Sequence, residues 1–276
     1  MLGKLFKHEL RAMSRIMLPI TAALVVLAGL SNISVRFLDN VKSSFLEFLL
    51  VLFIVLFIIG MIAAAIVLLV VVVGRFYNNF IKSEGYLMFT LPVNTHELVW
   101  SKLLASMLWT LITMIVMYGL ILLTVWNAVS MSTEFINSEF HFQLSGLLRY
   151  LSDELGITGG DMAVIIIEGV LGGALTMIGG YLHFYAAMSI GQSFANHKVL
   201  MSVVFFLLIN FVVQLFGPFV LELAGEGFST VEIAPDISAI NAVKVGLLVS
   251  CGIELIYDGI LYIVTILFLN KKLNLG

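Results

Sequence analysis

The sequence predicts an all-α polytopic membrane protein with six transmembrane helices, preceded by an amphipathic interfacial helix. Three observations carry that expectation. Of the 276 residues, 61 % are hydrophobic and only 11 % are charged, whereas a soluble domain needs roughly 25 % charged residues to solvate its surface. The mean hydropathy is +1.11. The apolar residues also fall in runs long enough to cross a bilayer, which takes about 20 residues per helix. Lipid is therefore the solvent for most of the chain. A formal net charge of -3 is too small to point to a partner.

Residues 2–15 read as an amphipathic helix lying on the membrane. Lys4, Lys7, Arg11 and Arg15 are spaced 3, 4 and 4 apart and share one face, while Leu2, Phe6, Leu10, Met13 and Met17 fall on the other. Such a helix sits at the headgroup boundary with its cations near anionic lipid. The simpler role of the same cations is to orient the first span. Basic residues followed by an apolar run also outline a signal peptide. The run 16–35 is long enough to span, however, and no clear Ala-x-Ala site follows it, so an uncleaved first span is expected. Pro19 falls in its first turn, where a missing N–H costs least.

Span two covers residues 45–73 and span three residues 99–126, with the polar stretch 75–98 between them. Pro92 stops what precedes it. Asn94 is placed to cap span three, and Glu97, three residues on, to close a capping box. The segment 127–161 is the longest without a span, and Phe140, Phe142, Leu144, Leu147, Leu148 and Leu151 suggest an interfacial helix inside it. Gly156, Gly159 and Gly160 break the chain before Asp161, a candidate cap for span four at 162–190. Span five covers 199–220, the acidic segment 222–245 follows, and span six covers 245–269.

Orientation follows from lysine and arginine, which concentrate on the cytoplasmic side. With the amino terminus inside, the inner segments hold Lys4, Lys7, Arg11, Arg15, Arg75, Lys82, Lys102, Lys198, Lys271 and Lys272. The outer segments hold Arg36, Lys42, Arg149 and Lys244. Both termini and the stretch 75–98 are therefore expected in the cytoplasm, and 127–161 and 222–245 outside it.

Span four is rich in small residues. Gly169 and Gly173 are four apart, as are Gly172, Thr176 and Gly180, a spacing that lets helix backbones approach closely in lipid. Three acids lie within spans: Glu168, Glu254 and Asp258. Each costs roughly 2.5–3.5 kcal/mol near a helix centre on insertion scales, so they should face the bundle interior or a wet cavity. Two readings stand level here, a polar lining on a translocation path and plain helix-to-helix hydrogen bonding.

Several chemistries are excluded. No Gly-x-x-x-x-Gly-Lys-Ser/Thr loop occurs to cradle nucleotide phosphates. No His-Glu-x-x-His or Cys/His cluster supports zinc, and His8, His96, His141, His183 and His197 are scattered. Basic patches with interleaved aromatics for nucleic acid are absent. Cys251, the single cysteine, reads as a small buried side chain. The pair Tyr257-Asp258 resembles one half of an intramembrane aspartyl protease site. The residues before Asp161, Thr158-Gly159-Gly160, miss the Gly-x-Gly-Asp setting of the other half, and that reading is rejected.

One stretch carries a family resemblance. Glu84-Gly85-Tyr86-Leu87-Met88-Phe89-Thr90-Leu91-Pro92-Val93, followed by Glu97-Leu98-Val99 and Ser101-Lys102, resembles the loop between spans two and three of ABC-2-type transporter permeases, especially those of Gram-positive bacteria. Lys4-Leu5-Phe6-Lys7-His8-Glu9-Leu10 is similar to their N-terminal connecting helix. In topology the resemblance covers the whole chain; at motif level it rests on these two stretches. It implies a single permease domain over 1–276, acting as the transmembrane subunit of an exporter in a bacterial cytoplasmic membrane. A second permease subunit, identical or different, would complete the translocation path. The loop would form a cytoplasmic coupling helix, with Glu84, Gly85, Tyr86, Leu87, Met88, Phe89, Leu91 and Pro92 seated on a separate ABC ATPase. The chain itself would then be no enzyme and bind no cofactor, ATP and Mg belonging to the partner.

The residues of the loop agree with that expectation on their own. An apolar patch from Tyr86 to Leu91, rimmed by charge, is the pattern of a partner site. Packing beneath the protein's own spans is the plainer alternative. Two other function classes stay open. A self-contained secondary transporter or channel would show internal repeats and broken helices in matching halves, and no convincing repeat is seen. A membrane scaffold or receptor makes no distinctive demand. Co-purification of an ATP-binding subunit separates the first reading from these two.

Overall fold

The structure, a computed structural model, describes residues 2–38, 41, 43–80, 93–131, 158–194, 197–230 and 239–271. Every element among them is an α-helix: α1 (Leu2–Leu38), α2 (Ser44–Phe80), α3 (Thr95–Met131), α4 (Gly159–Gly191), α5 (Lys198–Thr230) and α6 (Ala239–Lys271). All six are long and apolar enough to cross a membrane. The first three have 37 residues each and the last three 33. At about 1.5 Å per residue they reach roughly 50–55 Å, well past a hydrocarbon layer of about 30 Å.

The helices therefore outrun the apolar stretches that announce them. Hydropathy marks where lipid ends, whereas a helix ends only where its backbone bonds stop. The stretch 75–98 is thus helical at both ends, since α2 continues through Arg75 to Phe80 and α3 already starts at Thr95, directly after Asn94. The segments 127–161 and 222–245 are likewise shortened, by α3 and α4 in one case and by α5 and α6 in the other. The interfacial helix expected at 140–151 lies outside the described residues.

No break separates residues 2–15 from the first span. Lys4, Lys7, Arg11 and Arg15 are exposed, as their spacing requires. Met13 and Met17, on the opposite side, are buried within the protein. These two residues begin a packing seam that runs on through Leu24 and Ala28, while Leu2, Phe6 and Leu10 of the same stripe stay half-exposed. Pro19 sits well inside α1 instead of in a first turn. A helix continuous from Leu2 tolerates it with the loss of one backbone bond, which membrane helices accommodate.

The chain divides into two compact units, residues 1–75 with 97–146 and residues 76–96 with 147–276. In the first unit α2 runs antiparallel to α1, and α3 parallel to it. Gly60 of α2 faces Leu24 and Leu27, where a Cβ would come within 2.9 Å of Leu27 Cδ1. Asn32 Nδ2 donates to Thr124 Oγ1 across α1 and α3 at 3.2 Å. Trp109 Nε1 donates to the Leu10 carbonyl at 3.4 Å. The outward side of the middle of α2 is aliphatic, with Ile58, Ile59, Ile62, Ile66 and Val70 exposed. In lipid such residues gain nothing by turning inward, so close packing and interhelical hydrogen bonds hold the helices together.

In the second unit α4 and α6 run parallel and α5 runs antiparallel to α4. The start of α4 corrects the expected cap. Thr158 is the N-cap, and Asp161 is its capping-box partner three residues on: Thr158 Oγ1 accepts from Asp161 N at 3.3 Å, and Asp161 Oδ2 accepts from Thr158 N at 2.9 Å. Gly159 and Gly160 are the first two helical residues and do not break the chain. A hydroxyl at the cap and a carboxylate three residues on satisfy two otherwise orphaned N–H groups at once. At the other end α4 closes on α5 through a short connection, with Ser193 N bonded to the Ile190 carbonyl and His197 at φ 58 in the left-handed region.

Candidate functional site

The residues expected to meet an ATPase, Glu84 to Pro92, lie outside the described residues, as does Lys82. Their flanks do not. In the first unit both flanks converge on one carboxylate that the sequence reading gave no role. Glu9 is 7 % exposed. Its Oε2 accepts from Arg75 Nη2 at 3.0 Å, and its Oε1 accepts from Lys102 Nζ at 2.6 Å. Arg75 stands near the end of α2 and Lys102 in the second turn or so of α3, on either side of the loop. Lys102 is 3 % exposed, so its ammonium depends on the protein for charge compensation. The local reason is the α1 seam: Glu9, Met13 and Met17 follow one another at four-residue intervals and are all buried. The available signal in the sequence was a carboxylate on the apolar side of α1. Four cations nearby made it look solvated.

In the second unit the last residues of α2 and the first of α3 are also held. The Phe76 ring stacks on Tyr185 of α4 with centroids 4.0 Å apart, and Phe80 packs on Phe76 at 4.8 Å. Phe76, Phe80 and Tyr185 are all fully buried. Thr95 Oγ1 donates to Asn270 Oδ1 of α6 at 2.6 Å. His96 Nδ1 and Tyr262 Oη of α6 are 2.6 Å apart. Each end of the loop thus enters a helix whose first or last turns are fastened to neighbours.

The spanning acids differ in burial. Asp258 is 6 % exposed and Glu168 7 %, while Glu254 is half-buried. Asp258 lies against Gly179, where a Cβ would come within 2.5 Å of its Oδ1. Neither Asp258 oxygen has a hydrogen-bond partner, nor does Glu168 Oε2. Glu168 belongs higher on the same α4–α6 seam, its carbonyl 3.8 Å from Cys251 Sγ. Beside Asp258, Tyr257 Oη is 2.8 Å from His183 Nδ1, and His183 Nε2 is 3.2 Å from the Phe206 carbonyl of α5. That carbonyl only accepts, so Nε2 carries the proton and Nδ1 accepts from the tyrosine hydroxyl. The seam is closed at its other end by an ion pair between Lys244 and Asp161.

The same seam involves one member of the glycine ladder. Gly172 does face a neighbour, since a Cβ there would meet Cys251 Sγ at 3.4 Å. Gly169, Gly173 and Gly180 have nothing within 4 Å, and Thr176 bonds the Gly172 carbonyl of its own helix at 3.0 Å. A closer approach is made by Gly179, one heptad beyond Gly172. Parallel helices meet at heptad intervals, whereas the four-residue ladder follows one helix and says nothing of where the partner crosses. Among the described residues no group of three His, Cys, Asp or Glu side chains could hold a metal ion. No protein-family model, curated protein or solved structure compared with the chain matches it.

Proposed function

We propose that the chain is the permease subunit of an ABC exporter in a bacterial cytoplasmic membrane, driven by a separate ATPase that docks on residues 84–92. The observation that supports this most is the clamp at Glu9. A docking loop passes force to a membrane only if its flanks are stiff. In the first unit Glu9 fastens α1 to Arg75 before the loop and to Lys102 after it. In the second unit the loop's flanks are fastened to α4 through Phe76 and Tyr185, and to α6 through Thr95 and Asn270. Movement of the loop therefore has direct routes into α1, α4 and α6. The four exposed cations of α1 suit a cytoplasmic membrane surface. A second permease subunit would complete the path.

The test is co-purification of a nucleotide-hydrolysing subunit, compared with the variant Tyr86→Ala/Phe89→Ala. Burial of each such side chain is worth about 1.5–3 kcal/mol, and few residues carry most of an interface. Losing both should weaken the complex by roughly 100-fold or more while the permease still inserts. An undiminished complex and undiminished ATP turnover would overturn the docking assignment. The second reading, a self-contained secondary transporter, is favoured by the unpartnered carboxyls of Asp258 and Glu168. It requires transport by the purified chain alone.

A further inference from the structure

The α4–α6 seam holds a group that the export reading does not use. Asp258 is 6 % exposed, and both its oxygens lack a partner. An ionised carboxylate in such a place is strongly disfavoured unless a charge or several donors compensate it. The elements packed around it supply neither. From α4 it meets the bare backbone of Gly179. The same helix has no lysine or arginine anywhere along its length, and its His183 is engaged by Tyr257 and the Phe206 carbonyl. Along α5, residues 199–219 contain no charged side chain. On α6 the adjacent Tyr257 is engaged by His183, and the nearest other carboxyl, Glu254, is one turn away. The two lysines of that helix, Lys244 and Lys271, each lie about 20 Å away along the axis, in opposite directions, and Lys244 is paired with Asp161. Tyr262, one turn on from Asp258 in the other direction, is bonded to His96.

We propose that Asp258 is a proton-binding site: its carboxyl carries a proton while α4 and α6 are packed at Gly179, and releases it when they part. In the packed state the O–H bond keeps the group neutral against an apolar seam. On separation water reaches the carboxyl, the O–H bond breaks, the proton passes to water and a carboxylate remains. The seam therefore links helix movement to proton release, whether or not an ATPase drives that movement.

Infrared difference spectroscopy of the purified chain in lipid at neutral pH tests the first half. The wild type should show a protonated-carboxyl C=O band that shifts in D2O and is missing from Asp258→Asn, while Glu168→Gln retains it. Loss of a carboxylate band in its place would show Asp258 ionised and overturn the proposal. Should Asp258→Asn fail to fold, Gly179→Ala serves instead. Its methyl would stand within 2.5 Å of Oδ1, so the band must shift, and an unmoved band would overturn the assignment. Cys251 tests the second half, because it lies one heptad along the same seam and is the chain's single thiol. Raising the pH should speed its alkylation by a water-soluble maleimide more in the wild type than in Asp258→Asn, thiol ionisation being common to both. Equal pH dependence in the two proteins would overturn the release step.

Discussion

Replacing Gly191 by alanine is expected to lower the melting temperature sharply and to reduce the yield of monodisperse protein. At this position α4 turns back toward α5, and the added Cβ would stand 2.5 Å from Ser202 N and 2.7 Å from Ser202 Cα. Those are backbone atoms and cannot rotate aside. The two helices must move apart or the turn must unwind. Overpacking of this kind costs about 1–3 kcal/mol, and more where backbone has to shift. Gly173→Ala is the matched control, since its Cβ would meet nothing within 4 Å. It should stay within about 0.5 kcal/mol of the wild type. Thermal unfolding of both variants in the same detergent checks the pair. A Gly191→Ala protein as stable as Gly173→Ala would contradict the packing described.

The second large effect is expected at Glu9. Glu9→Gln removes the carboxylate that faces both Arg75 and Lys102. Arg75 is partly exposed and can turn toward water, whereas Lys102 is 3 % exposed and cannot. Removing one partner of a buried pair costs about 3–5 kcal/mol, because it strands the other charge. The double variant Glu9→Gln/Lys102→Met should recover part of that loss, since the buried ammonium has gone too. The excess over additivity should amount to about 0.5–3 kcal/mol in a double-mutant cycle. Strict additivity in thermal unfolding would mean that the two side chains act independently. In a complex that hydrolyses ATP, the same double variant is also expected to separate turnover from transport, because α1 is no longer tied to the start of α3.

The six helices were legible because a run of about 20 apolar residues has few other uses. Their ends were not. Arg75 looked like the start of a loop, yet the backbone remains helical to Phe80, since charge ends a membrane span without ending a helix. Glu9 was illegible for a related reason. One carboxylate among Lys4, Lys7 and Arg11 reads as surface, and its burial depends on where α2 and α3 lie, which no periodicity within α1 encodes. The acids fared better, because intramembrane carboxyls stand out in any composition. The sequence could not divide them, and only packing distinguishes Asp258 and Glu168, buried and unpartnered, from the half-buried Glu254. The small-residue ladder of α4 contains Gly172, which faces Cys251, but not Gly179 or Gly191. Gly179 and Gly191 approach their neighbours closely because of where α6 and α5 cross, a property of two helices at once. His183 and Tyr257 likewise met only through the register of α4 against α6.

The central claim is that the loop between α2 and α3 faces the compartment where ATP is hydrolysed. Single cysteines at Ser83 and Ser138, each in a Cys251→Ser background, test it most directly in intact cells. A membrane-impermeant maleimide should label the Ser138 position at once and the Ser83 position only after the membrane is opened. Labelling of the Ser83 position in sealed cells would contradict the account.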